Sequence, residues 1–226
     1  MILHCLFEQS GTFKNEAIKL GLRSYDYDIK DDYHQTDFRT DLFDAINQGY
    51  VGNKSIFDLI RKDDYVIAFF PCVRFEKLAY WHITGQAKQQ KNWTLAQKLK
   101  YSIGFHSQID DMYILISKLV LIALKRGFKL IIENPYSSDH YLTRYWPLQP
   151  SIIEKDRSMF GDWYQKPTQY FFINCEPCIN FVFEDNVCHR KKKVIEQSQV
   201  EKSLISPEYA NRFIREHILK GVQNEI

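Results

Sequence analysis

An α/β protein built on a doubly wound, mostly parallel sheet with an antiparallel edge is what the sequence predicts, on three observations. Short apolar runs of strand length alternate with stretches of helical period. Tyr65 to Phe70 is continuously apolar, which suits a strand covered on both faces by helices, and Phe128 to Ile132 is another apolar strand. Three candidate strands also run straight into chemically unusual residues: Phe7 to Gly11, Pro71-Cys72, and Glu133-Asn134-Pro135. Ligands of such sheets bind beyond the carboxyl ends of the strands, so three signals at one edge can converge on one pocket.

The elements follow in chain order. Ile2 to Phe7 reads as a strand and Glu8 to Gly11 as a turn. Phe13, Ala17 and Leu20 then fall at helical spacing, with Gly21 as a C-terminal stop. Arg23 to Ile29 is a second strand carrying Asp26 and Asp28, and Asp41 to Ile46 and Ser55 to Arg61 are short helical patterns. Tyr65 to Phe70 is the third strand. Phe75 to Asp110 is polar, irregular and rich in Lys, Gln and aromatics. Ile109 to Arg126 repeats as a buried helix stopped by Gly127, and Phe128 to Ile132 is the next strand. Gln169 to Asn174 and Ile179 to Phe183 form a terminal hairpin or strand pair. Ser206 to Leu219 is a closing helix, with Ser206 as N-cap, Pro207 at the first helical position and Glu208 in the first turn.

Composition bounds the answer from outside. A chain of 226 residues favours a single domain, 1–226, with elaborations. Hydrophobic residues at 45% and charged residues at 26% exclude a fully disordered chain. A net charge of +2 leaves a nucleic-acid partner open, because the distribution of charge matters more than its sum. The longest apolar stretch, Met112 to Leu124, contains Lys118 and is shorter than the roughly 20 residues of a membrane span. Five cysteines and an opening Met-Ile-Leu-His-Cys-Leu-Phe without the features of a secretory leader lead us to expect a cytoplasmic protein with reduced thiols.

The order of Phe7-Glu8-Gln9-Ser10-Gly11, Asp28, Phe70-Pro71-Cys72, Glu133-Asn134-Pro135 and Gln165 to Phe172 resembles the DNA cytosine-5 methyltransferase family. More narrowly, it is similar to the short cytosine-methyltransferase-like proteins of phages and gut bacteria. The resemblance covers most of the chain and implies a Rossmann-like sheet that binds S-adenosyl-L-methionine (SAM). The family's first motif is Phe-x-Gly-x-Gly; Phe7 and Gly11 are kept, and Gln9 stands at the first glycine. Gln9 either narrows the pocket or hydrogen-bonds the cofactor carboxylate. Ser10, Thr12, Phe13 and Pro71 complete the implied cradle. Asp28 is placed to accept the ribose hydroxyls. Asp41 resembles the acidic position on the adenine side, with Asp37 as its competitor.

Cys72 is implied as the nucleophile. Carbon 5 of cytosine becomes nucleophilic only after addition at carbon 6, and a thiolate adds well and can later be eliminated. Glu133 is implied as the partner of ring nitrogen 3, with Asn134, Pro135 and Arg74 in support. The sequence departs from the family in having Val73 and Arg74 after Pro-Cys, and Pro167 and Gln169 at both arginine positions of Gln-x-Arg-x-Arg. Arg74 is the residue expected to take over that charge. Glu208 to Ile214 resembles the last motif, which closes the chain over the cofactor. Only about thirty residues, Cys175 to Ser203, stand where long-site readers carry a recognition domain, too few for an independent one.

The expected partner is DNA, single-stranded or presenting a flipped base. Lys77, Lys88, Lys91, Lys98 and Lys100 beside Trp81, His82 and Trp93 offer cations for phosphates and rings for unstacked bases. An amphipathic surface helix with buried tryptophans explains that segment equally. Arg190 to Lys193 is a second phosphate candidate, or a solvated charge run. Three rival readings stay open. Asn134-Pro135-Tyr136 resembles the Asn-Pro-Pro-Tyr motif of amino-methyltransferases. Cys175, Cys178, Cys188 and His189 offer a zinc-like set, though the last two are sequence neighbours and no metal is expected. Lastly, the departures from the family pattern suit a non-catalytic module that binds SAM or nucleic acid.

Overall fold

The computed structural model describes residues 1–76, 79–178, 192–193 and 204–219. Its centre is a seven-stranded sheet. Strands β1 (Ile2–Leu6), β2 (Arg23–Asp28), β3 (Phe38–Arg39), β4 (Tyr65–Phe69) and β5 (Lys129–Pro135) run parallel in the order β3-β2-β1-β4-β5. The order reverses direction at β1, as in doubly wound nucleotide-binding sheets. β6 (Ile152–Glu154), β7 (Tyr164–Gln165) and β8 (Thr168–Ile173) follow. β8 pairs antiparallel with β5, and β6 pairs antiparallel with β8 on its outer side. The reversed strand therefore lies one place in from the edge, not at the edge itself. β7 pairs with β9 (Lys192–Lys193) in a separate ribbon, while the strand expected over Ile179 to Phe183 lies outside the described residues.

Two apolar clusters sandwich the sheet. On one face Leu6, Val66, Ala68 and Ile132 pack under α2 (Leu42–Val51) and the long helix Leu95–Arg126. On the other, Leu3, Cys5, Ile67 and Ile131 pack under α1 (Thr12–Lys19) and the helix Pro207–Phe213. Residues that alternate along one strand go to opposite clusters, so both faces must be apolar; this is why these strands carry unbroken hydrophobic runs.

The short helix α3 (Ala79–Ile83) precedes that long helix, α4. α4 starts fourteen residues before Ile109, where the apolar repeat begins, because Thr94 and Gln97 form a reciprocal capping box and Leu95, Leu99 and Ile103 of its first turns stay exposed. Its end is as expected, with Gly127 in the left-handed conformation at φ 80°. After α5 (Tyr141–Tyr145) the closing helix α6 (Pro207–Phe213) begins as the sequence predicts: the Ser206 hydroxyl accepts the Tyr209 N–H at 3.1 Å and Pro207 follows. The segment Ile214–Leu219 continues it with π-helical geometry. Among the described residues no helix is long and apolar enough to cross a membrane.

Candidate functional site

The parallel strands deliver their carboxyl ends to one side of the molecule, with Leu6 level with Ala68, and Phe69 level with Glu133. Phe7, the first residue after β1, turns the chain with φ 62°, and its N–H still reaches the Tyr27 carbonyl at 3.0 Å. Its ring meets Phe70 edge-on at 5.5 Å and Phe43 at 6.1 Å. Glu8 folds back to cap α1, accepting the Phe13 N–H at 2.7 Å and the Lys14 N–H at 3.4 Å. Gly11 precedes α1 with φ 63°, and a Cβ there would lie 2.8 Å from Gln35 Cβ. Only glycine fits that conformation and that approach.

Between the ends of β1, β2 and β4 lies a cavity of 360 Å³, within the range of small-molecule sites. Phe7, Gln9 and Pro71 line one part of it, and Asp28, Asp41 and Phe43 another. Asp28 is buried at the end of β2, and one oxygen accepts the Lys30 N–H at 2.8 Å. Burial, opposed by these backbone N–H bonds and Lys30, raises its pKa above the ordinary carboxylate value. Asp41 caps α2, one oxygen accepting the N–H groups of Phe43 at 2.9 Å and Asp44 at 3.2 Å. Its competitor Asp37 is used elsewhere, accepting the Asp26 N–H at 2.9 Å and pairing with Lys14 at 3.3 Å.

Three residues of the predicted cradle stand back from the cavity. The hydroxyls of Ser10 and Thr12 bond each other at 2.9 Å. Phe13 is wholly buried between Phe69 and Phe213, at centroid distances of 5.0 and 5.8 Å. Helical spacing with Ala17 turns its ring toward the sheet, so it holds the loop from beneath.

Beneath the same loop sits a pair of buried acids, Asp26 and Glu8, that the sequence reading did not single out. Asp26 is fully buried and neither carboxylate oxygen has a hydrogen-bond partner. Burial first, then the charge of Glu8, pushes its pKa up to about 8, with Lys14 opposing. Burial likewise lifts Glu8 to about 7 against its two backbone bonds.

Cys72 lies just past β4 and is half-buried, and its Sγ–H donates to Glu76 Oε1 at 3.4 Å. Burial pushes its thiol up to about 12; Lys166 pulls it down, and Glu76 and Glu133 raise it further. Cys72 and Glu133 thus stand at the ends of neighbouring strands, and neither lines the cavity. Glu133 is buried, with Oε1 3.6 Å from Nη1 of Arg157. Arg157, on the 3₁₀ turn Arg157–Phe160, is fully buried, pairs with Asp162, and lies 5.2 Å over the Tyr209 ring. Asp162 in turn accepts the Ser206 N–H at 3.1 Å, so α6 is tied to this block.

The supporting residues divide. Asn134 donates to the carbonyls of Phe70 at 2.9 Å and Glu133 at 2.8 Å, clamping the end of β5 to that of β4. The Pro135 carbonyl accepts the Gln169 side-chain amide at 2.9 Å. Arg74 points elsewhere: its Nε bonds Gln108 at 2.7 Å and its guanidinium lies 4.9 Å over Phe105. The cation beside Glu133 is Arg157 and not Arg74, because the turn after Cys72 carries residue 74 outward onto α4.

Among the other candidates, His82 stacks flat on Phe105 at 5.5 Å and Trp93 meets Tyr101 edge-on at 5.3 Å, while Trp81 is exposed. Trp81, His82 and Lys88 edge a second hollow of 310 Å³. Lys77 lies outside the described residues, as do the side chains of Arg190 to Lys193. Of the zinc-like set, Cys188 and His189 lie outside the described residues. Among the described residues no group of three or more His, Cys, Asp or Glu could hold a metal ion. Asn134 of the Asn-Pro-Tyr segment is fully buried, with both amide hydrogens committed within the fold. No protein-family model matches the chain, and no curated protein matches it.

Proposed function

We propose that the chain is a SAM-dependent methyltransferase that modifies carbon 5 of cytosine in DNA through a covalent cysteine adduct. The observation that supports this reading is that β4 and β5 run side by side with Phe69 level with Glu133, so that Cys72 follows the strand next to the one that carries Glu133, near a 360 Å³ cavity that Pro71 lines and that holds the buried acid Asp28. The doubly wound order with a reversed strand near one edge supports it.

The cavity's residues suit the cofactor. Asp28 would take the ribose hydroxyls, Phe7, Phe43 and Leu42 give apolar walls for a flat heterocycle, and Gln9 lies on the loop side. Bound SAM supplies an electrophilic methyl group on a sulfonium. The chain's own residues do the rest. Cys72 Sγ adds to carbon 6 of the ring, and electron density moves through the ring toward nitrogen 3. Glu133, held by Arg157, would hydrogen-bond that nitrogen through a proton taken up from solvent as the base binds, so density gathers at carbon 5. Transfer of the carbon-5 proton to water, its electron pair restoring the ring double bond, and departure of the sulfur as it regains a proton end the cycle. The substrate base is single-stranded or flipped, because carbon 6 of a stacked cytosine is out of a thiol's reach.

DNA containing 5-fluorocytosine tests the reading, because fluorine at carbon 5 blocks the final elimination. Wild-type protein with SAM forms an adduct that survives denaturing electrophoresis, and Cys72→Ser forms none. A second reading, a non-catalytic module binding SAM or nucleic acid, is favoured by the thiol being pushed up to about 12 and by the occupation of the α1 N–H groups by Glu8. Measurable SAM binding with no adduct on single-stranded or duplex DNA decides for that module.

A further inference from the structure

Cys72 is not a lone thiol. The turn after β4 brings Glu76 back beneath it, with the Phe75 N–H bonded to the Cys72 carbonyl at 2.8 Å, and the next turn opens with the Ala79 N–H on the Glu76 carbonyl at 2.9 Å. Spacing i to i+4 then lets the side chains meet, as on a helix. The thiol hydrogen points at Glu76 Oε1 at 3.4 Å, an ordinary length for a sulfur donor.

We infer that Glu76 is the general base that receives the Cys72 proton as the sulfur attacks, a role that rests on the reading of Cys72 as the nucleophile. The S–H bond breaks, its electron pair forms the bond from sulfur to carbon 6, and the proton passes to Glu76 Oε1. The need for such a group is physical. Burial above all, with the charges of Glu76 and of Glu133 on β5 adding to it, disfavours a free thiolate, and Lys166 opposes. Waiting for spontaneous ionisation leaves almost no reactive sulfur at neutral pH. Handing the proton to a carboxylate already in contact keeps the net charge of the pair unchanged through the step, so no new charge is buried.

A base and a bystander predict opposite signs. If Glu76 were only a nearby negative charge, neutralising it would ease ionisation of the thiol and speed its reactions. Iodoacetamide alkylation of Cys72, followed by mass spectrometry of the peptide that contains it, reads this without DNA or cofactor. There the sulfur takes the carboxamidomethyl group, iodide leaves, and the proton again goes to Glu76. At pH 7 Glu76→Gln slows the reaction tenfold or more, within the usual reach of general-base catalysis. Glu76→Asp, which keeps the carboxylate on a shorter arm, recovers part of the rate. Alkylation of Glu76→Gln at the wild-type rate or faster overturns the inference. The two failures are separable: if fluorocytosine trapping fails while Glu76→Gln still slows alkylation, the proton transfer stands and the substrate assignment falls.

Discussion

Asp26→Asn is the substitution whose effect follows most directly from the buried charges. A carboxyl whose folded pKa is raised stabilises the fold only while it stays protonated; that stability is lost as pH rises through the folded pKa. In the unfolded chain Asp26 titrates near 3.9 and Glu8 near 4.3, against about 8 and about 7 in the fold. Between pH 6.5 and 8 the unfolded chain therefore holds neither proton, while the folded one gives them up. Each retained proton makes stability fall by about 1.4 kcal/mol per pH unit. Integrated over that interval, the pair costs wild-type protein about 2 kcal/mol, most of it through Asp26.

These two groups dominate the window. Burial lowers the pKa of His4 and takes His140 and His217 to about 4, so their contribution grows with pH as unfolded histidine loses its proton near 6.5, offsets part of the fall in the first half of the window and is complete by about pH 7.5. The raised thiols, Cys72 among them, begin to matter only where unfolded cysteines ionise, near pH 8.5. Urea unfolding at pH 6.5, 7.25 and 8 measures the slope. Wild-type stability should fall across the series, and Asp26→Asn should fall by less than half as much and be the more stable protein at pH 8. Wild-type stability that is flat or rises from pH 6.5 to 8, or an Asn variant weaker than wild type at pH 8, would refute the assignment of a protonated acid beneath the loop.

Two further outcomes concern the site. Arg157→Met leaves Asp162 and Glu133 buried without their cation and should cost about 3–5 kcal/mol in urea unfolding, as breaking buried pairs does; a loss under about 1 kcal/mol would mean that the pair is not held as a charged unit. Asp28→Ala removes the buried acceptor at the end of β2 and should weaken SAM binding about tenfold in calorimetry, a charge-assisted hydrogen bond being worth about 1.5–3 kcal/mol, while an unchanged Kd would place the cofactor elsewhere.

What could be read ahead of the structure depended on the length of each signal. β4 is an unbroken apolar run and β5 carries Leu130 to Ile132 at its centre because both faces are covered, and that pattern needs no partner to be recognised. The Ser206-Pro207-Glu208 start of α6 was equally legible, since capping is local chemistry. β3 and β6, with two and three residues, are too short to show a period and exist through their neighbours' pairing. The first turns of α4 hid because Leu95, Leu99 and Ile103 bury no face; the readable signal there was Thr94 with Gln97. Cys72 and Glu133 stood out by following strands directly. Arg157 did not, because a 3₁₀ turn between two minor strands delivers it, and neither hydrophobic period nor motif marks that turn. Glu76 carried a weak signal, its spacing of four from Cys72. Asp26 carried another, its place on the same face of β2 as the buried Asp28.

The places where the sequence differs from the pattern it resembles make structural sense together once the cation beside Glu133 is located. A buried Glu133 needs a positive partner, or its charge would be too costly to hold beside a thiol. Had the segment around β8 provided that partner, residues 167 and 169 would have to point a guanidinium at β5. Instead Pro167 offers its carbonyl to the Tyr136 N–H at 2.9 Å. Gln169 is wholly buried, bonding the Pro135 carbonyl and accepting the Thr143 hydroxyl at 3.0 Å. Both residues now fasten the end of β5, a task an arginine at either place would disturb. Arg157 meets Glu133 from the turn that precedes β7, and Asp162, two residues before that strand begins, holds it there while anchoring Ser206 of α6. Glu133 therefore has its cation without an arginine at 167 or 169, from a different element. That arrangement ties the orientation of Glu133 to the docking of α6, so loosening Ser206 from Asp162 should reach the Glu133 carboxylate without touching it.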